Sequence, residues 1–287
     1  MFSRGILNFI KLNIKLINVK RGKGKMQGNS LFETIREWFT KRGDTVSSLG
    51  KSASSSLGTV FIFIAVIAGV VFIAIAAQRL IDKKNGTSAG SEKFRVNRIA
   101  IMAMLSAVAI ILNLFSFPLW FVPGFYKIDL SELPVVIGAF ALGPVAGVTI
   151  EAVKIILNLL FNGTSTAFVG EIANFIMGCA YVVPAGIIYY NKKSRKNAFI
   201  GLGIGTLISI TAGSLLNAFL LLPVYAKIYG MPLEALIAMG TAKNASINGM
   251  TTFILLAVAP FNLIKYGLVS IITMLIYKPV SRLLKGH

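Results

Sequence analysis

Histidine and cysteine are nearly absent from this 287-residue chain, with one of each, Cys179 and His287. A single cysteine excludes an internal disulfide and any cysteine-based metal cluster, and its apolar neighbours mark Cys179 as a small packing residue. A single histidine excludes metal binding or acid–base catalysis built on histidine pairs. Acids are scarce as well, 10 Asp and Glu against 29 Lys and Arg. No carboxylate pair, nucleophile motif or metal set converges, which sets a membrane enzyme aside. The segment GKS at Gly50–Ser52 resembles the end of a phosphate-binding loop, but the glycine that such a loop needs earlier would fall at Thr45. The chain therefore carries no ATPase of its own.

What is abundant is apolar. Hydrophobic residues make up 55% of the chain, charged residues 14%, and the mean hydropathy is +0.77. A water-exposed surface could hardly accommodate that balance, so the chain reads as an integral membrane protein. Most of its basic residues fall in three blocks, Arg4–Lys51, Arg79–Arg98 and Lys192–Lys196, separated by long apolar runs. Such blocks suit loops beside anionic membrane lipid, and no nucleic-acid partner is expected.

Residues 1–58 combine a basic amphipathic stretch, Gly5–Val19, with a Gly/Ser/Lys-rich segment, and read as an interfacial or disordered leader. Val60–Ala77 has no charge and is long enough, at about 1.5 Å per residue, to cross a hydrocarbon core of ~30 Å. It lies far from the N-terminus and is followed by Gln78 and Arg79, which favours a retained helix over a signal peptide. An extra N-terminal transmembrane helix is thus expected at 59–78, a charged linker at 79–94, and a membrane domain at 95–287. Within that domain, apolar runs bounded by turn residues predict six spans near Ile99–Phe117, Leu133–Leu142, Val145–Phe161, Ala167–Tyr190, Phe199–Leu222 and Thr252–Tyr277. The expected fold is all-α: a six-helix transmembrane bundle preceded by one extra helix. The basic run Asn191–Asn197 and the basic C-terminal tail fall on one side, which the positive-inside tendency makes cytoplasmic. Pro118–Ser131, Asn162–Thr166 and Pro223–Thr251 then lie outside. The extra helix puts basic residues 1–58 outside too, against that tendency.

Polar groups inside a membrane are costly unless paired or hydrated, so they are the first places to look for function. Glu151, Lys154 and Asn158 are spaced i, i+3, i+7 on one helical face. An internal ion pair and a substrate role suit them equally. Glu171 and Asn174 form a similar pair that fits better as a pin for the outer end of the bundle. In the fifth span Thr211 and Ser214 have the option of bonding back to their own helix, whereas the amide of Asn217 has less local satisfaction, and the small residues of GLGIGTL allow close helix approach. Asn262 and Lys265 share a face of the sixth span. Lys265 sits about half-way along, where snorkelling is strained, so a carboxylate or a polar cavity is expected beside it.

Four long strings, IDLSELPVVIGAFALGPVAGV (Ile128–Val148), NGTSTAFVGEIANFIMG (Asn162–Gly178), LLNAFLLLPVYAKIYGMPLEA (Leu215–Ala235) and APFNLIK (Ala259–Lys265), occur in an order that resembles the riboflavin-specific substrate-binding (S) components of energy-coupling factor (ECF) vitamin transporters. The resemblance covers about Arg95–Leu284. It implies a six-helix subunit of the bacterial cell membrane that captures riboflavin from outside and works with an ECF transmembrane coupling protein and two cytosolic ATPases. Riboflavin is then a transported ligand rather than a cofactor, and acceptance of FMN stays open. The resemblance further implies a cavity covered by the loop Pro118–Ser131, with Glu132 and Leu133, into which that loop leads, counted among the substrate contacts. Asn217, Asn262 and Lys265 match positions that resemble the family's polar contacts to the flavin ring. Ala103 and Ala107 match its small-residue docking surface for the coupling protein, although this spacing alone is common in internal helix packing. Two alternatives remain: an S component for another vitamin, and a stand-alone secondary carrier.

Overall fold

The computed structural model describes residues 57–86 and 92–285; the leader expected at 1–58 lies outside the described residues except at its last two positions. Leu57–Asn85 forms the first helix, α1. It runs past the apolar stretch because Gln78–Asn85 continues the helix with polar side chains. Helix α2 (Glu92–Leu114) begins inside the expected charged linker. A two-residue antiparallel ladder, β1 (Phe117–Pro118) with β2 (Lys127–Ile128), pairs Phe117 with Ile128 and closes the base of the first outer loop. It is a small local departure from all-α.

Helix α3 (Glu132–Leu142) is short and almost wholly buried. Gly143 stops it at φ +104°, and Pro144 starts α4 (Pro144–Asn162). This tight turn is what the Gly-Pro pair predicts, since proline supplies no N–H and is pre-set for a first helical position. Helix α5 (Val169–Asn191) and helix α6 (Arg195–Leu216) come next. The fifth span does not stop at Leu216: a π-helical turn, Asn217–Leu221, carries it into α7 (Leu222–Ile228). The expected outer segment Pro223–Thr251 contains a further helix, α8 (Leu233–Thr241). The last span opens with α9 (Met250–Phe253), passes through a second π-helical turn, Ile254–Val258, and continues as α10 (Ala259–Lys285). Among the described residues six helical stretches are long and apolar enough to cross a membrane, α1 among them, and α3 is a shorter apolar helix.

The core follows from which faces are apolar on both sides. Val135, Val136, Ala139 and Phe140 of α3 pack with Ile150 of α4, Tyr181 and Val182 of α5, Leu202 of α6 and Tyr266 and Val269 of α10. With no water in the surroundings, helix association rests on close fit, so small residues set the spacing. A Cβ on Gly205 would stand 2.4 Å from the backbone oxygen of Tyr181, and one on Gly201 2.9 Å from that of Ala185. The small-residue run of the fifth span is therefore the seam between α6 and α5. Gly205→Ala meets backbone and cannot be relieved by a rotamer change, so it should destabilise the bundle by about 1–3 kcal/mol, read as a lowered thermal midpoint in detergent. Gly203→Ala faces open space and should leave the midpoint unchanged.

Candidate functional site

The loop ending at Ser131, the C-terminal half of α4, the N-terminal half of α5, the π turn after α6 and the first turns of α10 surround one cavity of about 680 Å³. Its deep wall is made of buried residues: Asp129, Glu132, Lys154, Asn217, Asn262 and Tyr266. Asn162, Ser165 and Asn174 line it too and are exposed, which marks the mouth. Apolar surface comes from Leu114, Phe125, Ile155, Met177, Leu221 and Phe261.

Charges in the wall are paired. Lys154 Nζ lies 2.8 Å from Glu132 Oε1 and 2.6 Å from Glu151 Oε2, with all three side chains at most 3% exposed. The face shared by Glu151, Lys154 and Asn158 thus resolves into an internal ion cluster plus an amide, Asn158, that lines the cavity. Glu151 itself does not line it. Glu132 Oε2 and Glu151 Oε1 have no hydrogen-bond donor, so the cluster has spare acceptor capacity beside Gly178, where an added Cβ would meet Glu151 Oε1 at 2.5 Å. Lys265 Nζ lies 3.2 Å from Asp129 Oδ2. Asp129 also accepts from the Ser131 backbone N–H, at 2.8 Å, and from the Ser131 hydroxyl. Burial opposes the charge on Asp129, but Lys265, then Lys154, and the Ser131 hydrogen bonds outweigh it and hold the carboxyl below its ordinary value.

Asn217 and Asn262 share a neighbour. Asn217 Nδ2 donates to the Gly213 carbonyl at 2.7 Å, and a Cβ on Gly213 would stand 2.6 Å from Asn262 Nδ2. Asn262 Nδ2 donates in turn to the Val258 carbonyl at 3.1 Å. Local satisfaction of Asn217 is therefore better than its sequence context suggests, because the carbonyl one turn back is within reach. Each asparagine is near a π turn: Asn217 opens the first, and Asn262 lies one helical turn beyond the second, which ends at Val258. Such turns insert a residue into the helix and rotate the facing of the residues beyond it, and they recur at functional sites. Tyr126, from the first outer loop, donates its hydroxyl to Asn217 Oδ1. Burial, then neighbouring Tyr225, raises that phenol above its ordinary value, so it stays a donor.

Five residues are expected from the sequence at a substrate site. Asn217, Asn262, Lys265 and Glu132 line one cavity, and Leu133 does not. Leu133 is half-buried against the core cluster of α3 because a one-residue step along the helix turns it away from the side Glu132 faces. Ala103 and Ala107 are both exposed on α2, beside Met104 and Val108, and neither reaches the cavity. Glu171 accepts from Thr164 and Thr166, pinning the turn before α5, and it lines the cavity along with Asn174. Asp129 and Tyr126 do not stand out in the sequence. The signal for Asp129 is Lys265, which demands a carboxylate. Tyr126 lies in an aromatic loop with nothing to distinguish it.

The family model for the substrate-specific component of ECF transporters matches residues 97–277. The chain is 36% identical over 188 residues to "Riboflavin transporter RibU" of Staphylococcus aureus, covering 66% of this chain and 92% of that protein. It is 30% identical over 184 residues to "Riboflavin transporter FmnP" of Bacillus subtilis, covering 64% and 91%. Among solved structures it is similar to one described under "Structure and mechanism of the S component of a bacterial ECF transporter", with TM-score 0.52 and 32% identity over 67% of this chain and 99% of that one.

Removing Lys154 would leave two buried carboxylates without a cation. Lys154→Met should cost about 3–5 kcal/mol of stability, seen as a large fall in thermal midpoint or in folded yield. Glu151→Gln keeps the shape and removes one of the two negative charges, so a much smaller shift is expected in the same assay.

Proposed function

We propose, from the premise that this chain belongs to the substrate-specific component family of ECF transporters, that it is the riboflavin-binding membrane subunit of such a transporter. It is a multi-pass protein of the bacterial cell membrane and not an enzyme. The observation that carries the reading is the convergence of Asn217, Asn262 and Lys265, from two different spans, on one cavity with an exposed mouth. Its volume falls within the about 300–1,000 Å³ usual for small-molecule sites.

The chemistry of the wall fits a flavin. The pyrimidine edge of isoalloxazine alternates carbonyl acceptors with an N–H donor, and a carboxamide matches both senses. Asn217 and Asn262 supply such groups, and Lys265, held by Asp129, supplies a cationic donor. Phe125, Phe261, Ile155 and Leu221 offer apolar surface for the rest of the ring system, and the polar mouth, with Asn158, Asn162, Thr164 and Asn174, suits the hydroxyls of the ribityl chain. The mouth lies at the end opposite the basic run Lys192–Lys196, which the positive-inside tendency places outside, where the vitamin is captured. The chain has no phosphate-binding loop, so energy comes from partner subunits of the ECF module: a transmembrane coupling protein and two cytosolic ATPases. The exposed pair Ala103 and Ala107 lets a partner helix approach α2 closely.

Asn262→Ala should weaken riboflavin binding by roughly 1–3 kcal/mol if a ring donor or acceptor loses its partner, about fivefold to more than a hundredfold in Kd. Lys265→Ala should do the same while also stripping Asp129 of its counter-ion, so its thermal midpoint has to be measured beside its affinity. Wild-type affinity in folded Asn262→Ala protein would take that residue out of the site.

Ala103→Leu and Ala107→Leu separate docking from capture. Each should leave riboflavin affinity near wild type, since neither residue reaches the cavity, while co-purification with the coupling protein and uptake in cells are lost. If affinity collapses as well, the alanines are packing residues of this subunit.

A further inference from the structure

Helix α1 lies outside residues 97–277, which match the family model, and contributes nothing to the cavity wall. It is nevertheless seated on the core by two independent sets of contacts. Along its outer two-thirds, Phe63 and Ala74 are buried in a cluster with Val148, Ile155 and Phe175 of α4 and α5, and the Phe63 ring meets Phe175 edge-on at 6.3 Å. At its inner end the contacts turn polar. Gln78 Oε1 accepts the backbone N–H of Val145 at 3.2 Å, an N–H in the first turn of α4 that has no partner within its own helix. The Tyr190 hydroxyl donates to Asp82 at 3.0 Å, and Asn85 Nδ2 donates to the Asn191 carbonyl at 3.4 Å.

Lipid chains are as apolar as the helices, so apolar contact alone gives a membrane helix little reason to prefer protein over lipid. Close fit and polar ties are what fix a seat, and α1 has both. The turn between α3 and α4 is shaped around it: Gly143, at φ +104°, leaves room for the Gln78 amide, which a Cβ there would meet at 2.7 Å. The ties also set direction. Asn85 stands beside Asn191, away from the cavity mouth at Asn162 and Ser165, so α1 runs parallel to α5 and antiparallel to α4.

We propose that α1 is a permanent member of the bundle, clamped on α4 and α5, and that it keeps this seat while the subunit works with its partners. The second half of this statement rests on the transporter reading above. The face of α4 and α5 under α1 is closed to any partner while α1 is seated there.

The test uses the full chain with Asn85→Cys and Asn191→Cys, joined in membranes by a bifunctional methanethiosulfonate that reductant reverses. The native Cys179 is buried and is checked in the parent protein. The expected result is extensive cross-linking within single chains, with riboflavin uptake the same before cross-linking, after it, and after reduction. Little cross-linking, or links mainly between chains, would overturn the seat of α1. Uptake that falls on cross-linking and returns on reduction would show that α1 has to move, and would overturn its permanence. Absence of riboflavin binding before any reagent is added would count against the transporter reading alone, while the extent of cross-linking still decides where α1 sits.

Discussion

A charge placed in a bilayer has to meet its counter-charge inside the protein, and the bundle is organised around two lysines that do so. Lys154 projects from α4 to Glu132 at the head of α3 and to Glu151 on its own helix. Lys265 projects from α10 to Asp129, just before α3. Both pairs converge on a few residues where the first outer loop enters the bundle. The entry point of α3 is thereby tied to α4 on one side and α10 on the other, and the cavity is the space these ties hold open. Pairs of this kind are weak evidence for net stability, since desolvation consumes much of the attraction. Their value is positional, because removing either partner leaves a buried charge alone.

Close packing does the complementary work. Glycines at 201 and 205 bring α6 against the backbone of α5, Gly178 makes room for the two glutamates, and Gly213 lets the Asn262 amide approach α6. Asn217 opens one π turn, Asn262 lies a helical turn beyond the other, and both line the same cavity. In this arrangement a polar cavity is made from helix ends, loop and ion pairs, while large apolar side chains such as Phe219 and Leu275 are exposed on the outside of the bundle.

The spans were legible in the sequence because a membrane helix announces itself through an uninterrupted apolar run; α3, α4 and α5 begin and end within about two residues of expectation, whereas α2 begins at Glu92 rather than Ile99, the fifth span runs on to Ile228 and the last to Lys285, because polar and basic residues at their ends continue the helix. Continuation of α1 to Asn85 was not, since Gln78, Asp82 and Asn85 look like linker until their partners on α4 and α5 are seen. For the site, Asn217, Asn262 and Lys265 stood out as polar groups within apolar helices, the kind of anomaly that sequence shows well. Asp129 was hidden because a loop acid carries no such contrast, although Lys265 implied it. Leu133, next to Glu132 in sequence, lies off the cavity and against the core, because helical geometry separates neighbours by about 100°. Helix α8, in a segment expected to be an outer loop, has too short an apolar pattern to have been distinguished from a turn-rich connection.

The most direct test of the account is an equilibrium titration of the purified full-length chain with riboflavin, following flavin fluorescence, alongside the visible absorption spectrum of the protein as isolated. A riboflavin-binding subunit should show a flavin absorption band or saturable one-to-one quenching, with no competition from vitamins that lack the isoalloxazine ring. Protein that is folded, colourless and indifferent to added riboflavin, or that gives up bound flavin readily to an unrelated vitamin, would contradict it.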